Sequence, residues 1–210
     1  MIGNMHPEAL NNITQRVWES CGFLKEDFYL AGGTALALQL GHRQSIDLDF
    51  FSDKPIKKTL LSYLEGSFRT TITPIIRSAD ELTARIYDVK VTFLHYPFPL
   101  LAETVPTAIV PLASVRDIAS MKAYALGRRG TLKDYVDLHA IFSRGIVTLS
   151  TVITDANQKY GDAFNDRLFC EQLLYTDDIE NEAIEWLEKP VSLEAMKEYF
   201  RSLIASEMKS

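Results

Sequence analysis

Cysteine is scarce in this chain: two in 210 residues, Cys21 and Cys170, far apart and each among apolar neighbours. Neither belongs to a metal-type spacing, which excludes a disulfide scaffold and a zinc module and leaves both thiols as core residues. Long apolar runs are missing as well. No stretch reaches the ~18 to 20 uninterrupted apolar residues of a membrane helix, and Met1 to Glu8 lacks the basic-then-apolar layout of a secretion signal. The expectation is a soluble cytoplasmic protein with no membrane partner. Nor is there an excess of positive charge, since 22 basic and 28 acidic residues give a formal net charge of -6. That balance argues against coating nucleic acid by bulk electrostatics. The lysine-bearing Walker loop, the dinucleotide pattern GxGxxG and the nucleophile elbow GxSxG do not occur. Kinase-like ATPase, dehydrogenase and hydrolase readings drop out with them.

What is present is an ordinary globular composition, 47% hydrophobic and 24% charged, enough to bury the core of one large domain or two small ones. Charge is unevenly spread. Arg116, Lys122, Arg128, Arg129, Lys133 and Arg144 face only Asp117, Asp134 and Asp137 in the middle of the chain, whereas Glu171 to Glu198 is dominated by carboxylates. The middle segment either holds a polyanion or is a solvated helix face.

The apolar positions Leu10, Ile13, Val17 and Trp18 recur at three and four, so a helix is predicted from His6 to Trp18, ending near Gly22. Phe28 to Ala31 reads as a short strand running into Gly32-Gly33-Thr34 and a helix that stops at Gly41. Ile46 to Phe51 alternates acid with apolar, the period of a strand whose two acids share one side. A helix is predicted over 56–64 with Pro55 at N1, then strands over 70–76, 82–87 and 89–96, the last two a hairpin turning near Tyr87-Asp88. Prolines 97, 99, 106 and 111 punctuate a connector, after which the period is helical. Ser114 and Thr131 each precede an acid by three residues, the signature of helix starts. Further helices are predicted over 149–160, 163–174, 179–187 and 192–204. The fold class expected is α+β: a mixed sheet with flanking helices in the N-terminal half, residues 1–112, and a helical subdomain over 113–210.

Chemistry concentrates in Gly32-Gly33-Thr34, twelve intervening residues, and Asp47-Leu48-Asp49. A strand, a glycine pair and a helix N-terminus make an anion site, because glycine lets a ligand approach the backbone and free N–H groups attract phosphate. Thr34 is placed to add a hydroxyl. Asp47 and Asp49, roughly 7 Å apart along a strand, suit shared coordination of a hard cation. Either half alone is common as plain structure; their order and spacing together point to a metal–nucleotide site. Arg43 either neutralises phosphate or pairs with a carboxylate, and Ser45 bonds the acidic strand or a phosphate. Lys122 is the only charge between Ile118 and Leu126, a lysine that either snorkels from an apolar face or meets phosphate. Asp134 completes a capping box on its bland reading, and Lys133 with Asp137 forms an i,i+4 surface pair worth only ~0.3 to 0.5 kcal/mol. His6, His95 and His139 have no partner spacing and are taken as structural.

With Tyr29-Leu30-Ala31-Gly32-Gly33-Thr34-Ala35-Leu36, then His42-Arg43-Gln44-Ser45-Ile46-Asp47-Leu48-Asp49-Phe50-Phe51, and later Lys122, Arg128, Lys133-Asp134 and Asp137, the sequence resembles the AbiEii/AbiGii-type nucleotidyltransferase toxins of the polymerase-beta-like superfamily. The resemblance covers roughly residues 25 to 145. It implies transfer of a nucleoside monophosphate from a nucleoside triphosphate to an acceptor hydroxyl with release of pyrophosphate. Mg2+ would be held by Asp47 and Asp49, and phosphates by Gly32, Gly33 and Thr34, with Arg43, Ser45 and Asp137 among the nucleotide-binding groups. Lys122 would contact triphosphate oxygens, and Asp134 or Asp137 would orient the nucleotide or the acceptor. It further implies a toxin of a bacterial toxin–antitoxin or phage-defence system, an RNA acceptor, most plausibly tRNA, and an antitoxin that often acts without stable contact. One departure stands out. Superfamily members place a third carboxylate on a neighbouring strand, and Thr92 or Lys90 occupies the corresponding stretch here. A nucleotide-binding module that has lost turnover, and a transferase acting on a small molecule such as an aminoglycoside, are the alternatives.

Overall fold

The computed structural model describes residues 5–180 and 182–207, Arg129 by its backbone alone. Met1 to Asn4 of the N-terminal stretch and Asn181 within the helix expected over 179–187 lie outside the described residues. Two compact units emerge, one of Met1–Pro99 with Glu103–Ala113, the other of Leu100–Ala102 with Ser114–Ser210.

The first unit is built on five strands, β1 (Tyr29–Ala31), β2 (Leu48–Ser52), β3 (Pro74–Arg77), β4 (Glu81–Ile86) and β5 (Val89–His95), in the order β1-β2-β5-β4-β3. Only β2 and β5 run parallel; the other neighbours are antiparallel. Alternation decides the two faces. Leu30, Leu48, Phe50, Leu82, Ala84, Val91 and Phe93 are buried on one of them, where Phe50 stacks on Phe93 at 5.2 Å and on Trp18 at 6.3 Å. Each of the leucine, valine and phenylalanine side chains contributes about 1.5 to 3 kcal/mol by leaving water. The opposite face carries, in register across four strands, Ala31, Asp49, Thr92 and Thr83. Helices α1 (Asn12–Glu19), α2 (Gly32–Leu40) and α3 (Leu60–Phe68) complete the unit. α2 is apolar nearly all round, with Thr34 to Leu38 and Leu40 all buried, as a helix inside a core must be.

The second unit is helical: α4 (Val115–Arg129), α5 (Leu132–Ser143), α6 (Leu149–Tyr160), α7 (Asp166–Leu174) and α8 (Leu193–Glu207). Ser114 caps α4 by accepting the Asp117 N–H at 3.0 Å, and Thr131 with Asp134 forms the capping box of α5, so both expected helix starts are found. The Asp117 carboxylate also accepts N–H groups of Leu101 at 2.9 Å and Ala102 at 3.1 Å. That is why a three-residue excursion of the connector belongs to the helical unit.

The α+β class is observed, with several boundaries moved. The helix expected over 56–64 starts at Leu60, because the Ile56 N–H is spent on the Ala79 carbonyl at 2.8 Å and Pro55 therefore lies in a connecting segment. The strand expected over 70–76 begins only at Pro74, on the edge of the sheet where a missing N–H costs no ladder bond. The first helix divides into a short 3-10 turn, Pro7–Ala9, and α1. α7 starts at Asp166, three residues later than expected, where Asn165 supplies the cap. No helix forms among the described residues of 179–187. There Ile179, Ile184 and Trp186 instead line a cavity of about 400 Å³ with Leu132, Val191 and Met196.

Candidate active site

Gly32 begins α2 with φ +65, a left-handed backbone that glycine adopts without strain. A Cβ at this position would lie 3.1 Å from Asp49 Oδ2. The backbone at the start of the helix therefore sits directly against the carboxylate on the neighbouring strand, held there by the Ala31–Asp49 pairing. The N-cap residue of α2 is Ala31, which has no side chain able to cap the helix, and an uncapped helix start is an arrangement that draws an anion. Gly33 follows within the same turn and is half-buried.

The loop before β2 is fixed residue by residue. Ser45 donates its N–H to the Ala9 carbonyl at 2.8 Å, the Thr14 hydroxyl donates to the Ile46 carbonyl at 3.1 Å, and the Thr34 hydroxyl donates to the Asp47 carbonyl. Thr34 Oγ1 also lies 2.7 Å from Ser45 Oγ, and Thr34 is only 2% exposed. Its hydroxyl faces protein, so the structure makes Thr34 and Ser45 a clamp on the acidic segment. These side-chain bonds replace ladder bonds, which is why β2 starts at Leu48 rather than Ile46 and Asp47 stands just outside it. Asp47 and Asp49 are both half-buried. Arg43 is buried, with Nη1 donating to the Gln44 carbonyl at 3.0 Å.

A cation on this face would find its protein donors in Asp47 and Asp49. No group of three or more His, Cys, Asp or Glu side chains is close enough to hold an ion among the described residues. Mg2+ is commonly bound by one or two carboxylates, with water and substrate phosphate filling the rest of its shell, so the pair fits. Thr92 stands in register with Asp49, so the third position on this sheet face holds a hydroxyl. Glu81, which sequence reasoning passed over, shares that face and accepts the Thr83 hydroxyl at 2.6 Å. Only strand pairing reveals it, since nothing in the local sequence of β4 singles out a carboxylate.

The remaining expected residues lie in the second unit. Lys122 on α4 contacts Asp134 Oδ1 at 2.8 Å and Asp137 Oδ2 at 2.7 Å. Asp134 completes the capping box through Oδ2, which accepts the Thr131 N–H at 3.0 Å. Lys122 and Asp134 side chains are about one-tenth exposed and that of Asp137 is fully buried. The lysine therefore neither snorkels nor lies idle; it joins α4 to α5 through two carboxylates. The expected Lys133–Asp137 pair is not formed, because Lys133 meets Glu182 at 2.8 Å while Asp137 is taken by Lys122. His6, His95 and His139 contact Glu8, Asp80 and aromatic rings respectively.

A sequence model of the nucleotidyl transferase AbiEii toxin, type IV toxin–antitoxin system, matches residues 16–97 and 89–209. The chain belongs to the AbiEii nucleotidyltransferase toxin family. An uncharacterized protein of Aquifex aeolicus, aq_aa25, is 32% identical over 179 residues, which is 83% of this chain and 85% of the relative. Among solved structures, the nucleotidyltransferase toxin MenT4 of Mycobacterium tuberculosis superposes with TM-score 0.64 at 19% identity, over 92% of this chain and 82% of that one. JHP933 of Helicobacter pylori gives 0.52 at 16% identity, over 95% and 98%. Both show likeness of fold. Membership in AbiEii makes this protein a nucleotidyltransferase with a nucleoside triphosphate as substrate, and a type IV system implies a cognate antitoxin. No helix among the described residues is long and apolar enough to cross a membrane.

Proposed function

We propose that this AbiEii chain transfers a nucleoside monophosphate from a nucleoside triphosphate to a hydroxyl of RNA, with tRNA the favoured acceptor, in a Mg2+-dependent reaction in the cytoplasm. The observation that carries the reading is the 3.1 Å approach between the Gly32 Cβ position and the Asp49 carboxylate, which supports taking the start of α2 and the carboxylate as one site. Gly32 and Gly33 hold phosphate through backbone N–H groups, and Asp47 and Asp49 hold the cation. Bound Mg2+ would neutralise triphosphate charge and ease ionisation of the acceptor hydroxyl. Thr34 and Ser45 fix the acidic segment, and the buried Arg43 backs the carboxylates. Lys122 as a triphosphate contact, with Asp134 and Asp137 as orienting groups, rests on the family pattern; to meet phosphate the lysine exchanges one of its two carboxylates. Residues 1–112 act as the nucleotidyltransferase core and 113–210 as the helical subdomain.

A second reading has one observation in its favour: with Thr92 opposite Asp49, the chain binds nucleotide but turns over slowly. Incubation with labelled nucleoside triphosphates, Mg2+ and total RNA decides between them. Labelled RNA is the expected result; nucleotide binding without label in RNA supports the second. Asp47→Asn and Asp49→Asn should each lower transfer at least about a hundredfold in a folded protein, because a neutral amide cannot replace the lost charge. Near-normal rates in both would remove the metal assignment.

A further inference from the structure

The cations of the middle segment are mostly spoken for. Arg116 pairs with Asp155, Lys122 with Asp134 and Asp137, Lys133 with Glu182, and Arg144 with Glu188. Arg128 differs: among the described residues it has no carboxylate within ion-pair distance, and its guanidinium lies 3.7 Å over the ring of Tyr124. Tyr124 in turn stacks on Tyr160 at 3.9 Å with the planes 13° apart, and Arg128 Nη2 donates to the Ala163 carbonyl at 3.2 Å. Tyr160 is buried, Tyr124 half-buried and Arg128 exposed. The result is a column of three flat groups, anchored in the core at one end and closed at the solvent end by the Arg128 guanidinium.

An exposed arginine ordinarily samples many rotamers and gives up that freedom when it binds. Here the i,i+4 contact with Tyr124 and the tether to Ala163 already restrict the side chain. Unpaired bases of RNA stack on such planes, while the guanidinium edge remains available to a neighbouring phosphate. We propose that Arg128 is a stacking platform for an unpaired base of the RNA acceptor, a subsite that depends on the plane as well as the charge. This rests on the RNA reading above and narrows it: the acceptor is engaged where its bases are unstacked.

The test measures fluorescence anisotropy of a short labelled single-stranded RNA and of the same backbone with abasic sites, using the full chain and its Arg128→Lys and Arg128→Ala variants. Lysine keeps the charge and loses the plane. Arg128→Lys should bind the base-bearing RNA about tenfold more weakly than wild type and the abasic strand equally well, whereas Arg128→Ala, which also loses the charge, should weaken both and the base-bearing strand more. Wild-type affinity in Arg128→Lys for the base-bearing strand, an equal loss by Arg128→Lys on the abasic strand, or three indistinguishable proteins would overturn the platform. Calorimetry with the triphosphate alone guards the choice of ligand; a loss there instead of on RNA makes the occupant the nucleotide's own base and overturns the proposal. The acceptor reading fails separately. If total RNA takes no label while Arg128-dependent binding to the base-bearing strand persists, the subsite stands and the acceptor assignment falls.

Discussion

Gly32 was legible as one of a pair, but which glycine needs its freedom was not. The sequence gives both equal standing, and only the backbone shows φ +65 at Gly32 with the Asp49 carboxylate against it. Gly32→Ala should therefore act twice. A left-handed L-residue costs about 1 to 2 kcal/mol, and its methyl group crowds the carboxylate, so nucleotide affinity should fall by more than the stability loss explains. Calorimetry beside a thermal melt checks this, and unchanged affinity would return the glycine to a purely conformational role. Thr34 tests the clamp differently. Thr34→Val keeps the volume but leaves the part-buried Asp47 carbonyl without its donor, a loss of about 1 to 3 kcal/mol, and Thr34→Ser should restore most of it. If serine fails as valine does, the methyl group is what matters.

At the scale of elements, signals that depend on neighbours in sequence were readable and those that depend on distant partners were not. The N-cap at Ser114, the capping box at Thr131 and the stop at Gly41 are local, and each is found. The segment expected to be a helix over 179–187 instead turns the half-buried Ile179, Ile184 and Trp186 to a cavity shared with Leu132 of α5 and Met196 of α8, partners that no window of the sequence contains. A fully buried charge pair was also invisible: Asp117 on α4 and Lys159 on α6 meet at 2.6 Å with neither side chain exposed. Burial pulls the Lys159 pKa down and Asp117 resists that pull. Asp117→Ala would strand the lysine and release Leu101 and Ala102, costing about 3 to 5 kcal/mol. Replacing both together, Asp117→Leu with Lys159→Met, should recover much of that loss, since an apolar pair often matches a buried ion pair. Urea unfolding of the two variants measures the difference, and a double variant no better than the single would show that the Asp117 bonds to the connector dominate.

For the whole molecule, acidity shapes the pH response. The chain carries a net charge of -6, and in the helical unit His139 sits edge-on to Tyr199 at 5.0 Å, with Phe200 at 6.2 Å. Burial among these rings lowers its pKa below the ordinary 6.5. The sign follows from which state binds the proton. Between the ordinary value and the lowered one, the unfolded chain is protonated while the folded chain refuses the proton, so stability rises with pH across that window. The contribution is fully present above pH 6.5 and is lost as pH falls through the folded value. Carboxylates titrate lower and supply a background common to any variant, which a comparison removes. His139→Gln should therefore flatten the dependence of the urea midpoint on pH just below the ordinary histidine value, while costing some packing at every pH. Parallel curves for wild type and variant would mean that the fold accommodates an imidazolium between α5 and α8, and that its burial there is shallower than the ring contacts imply.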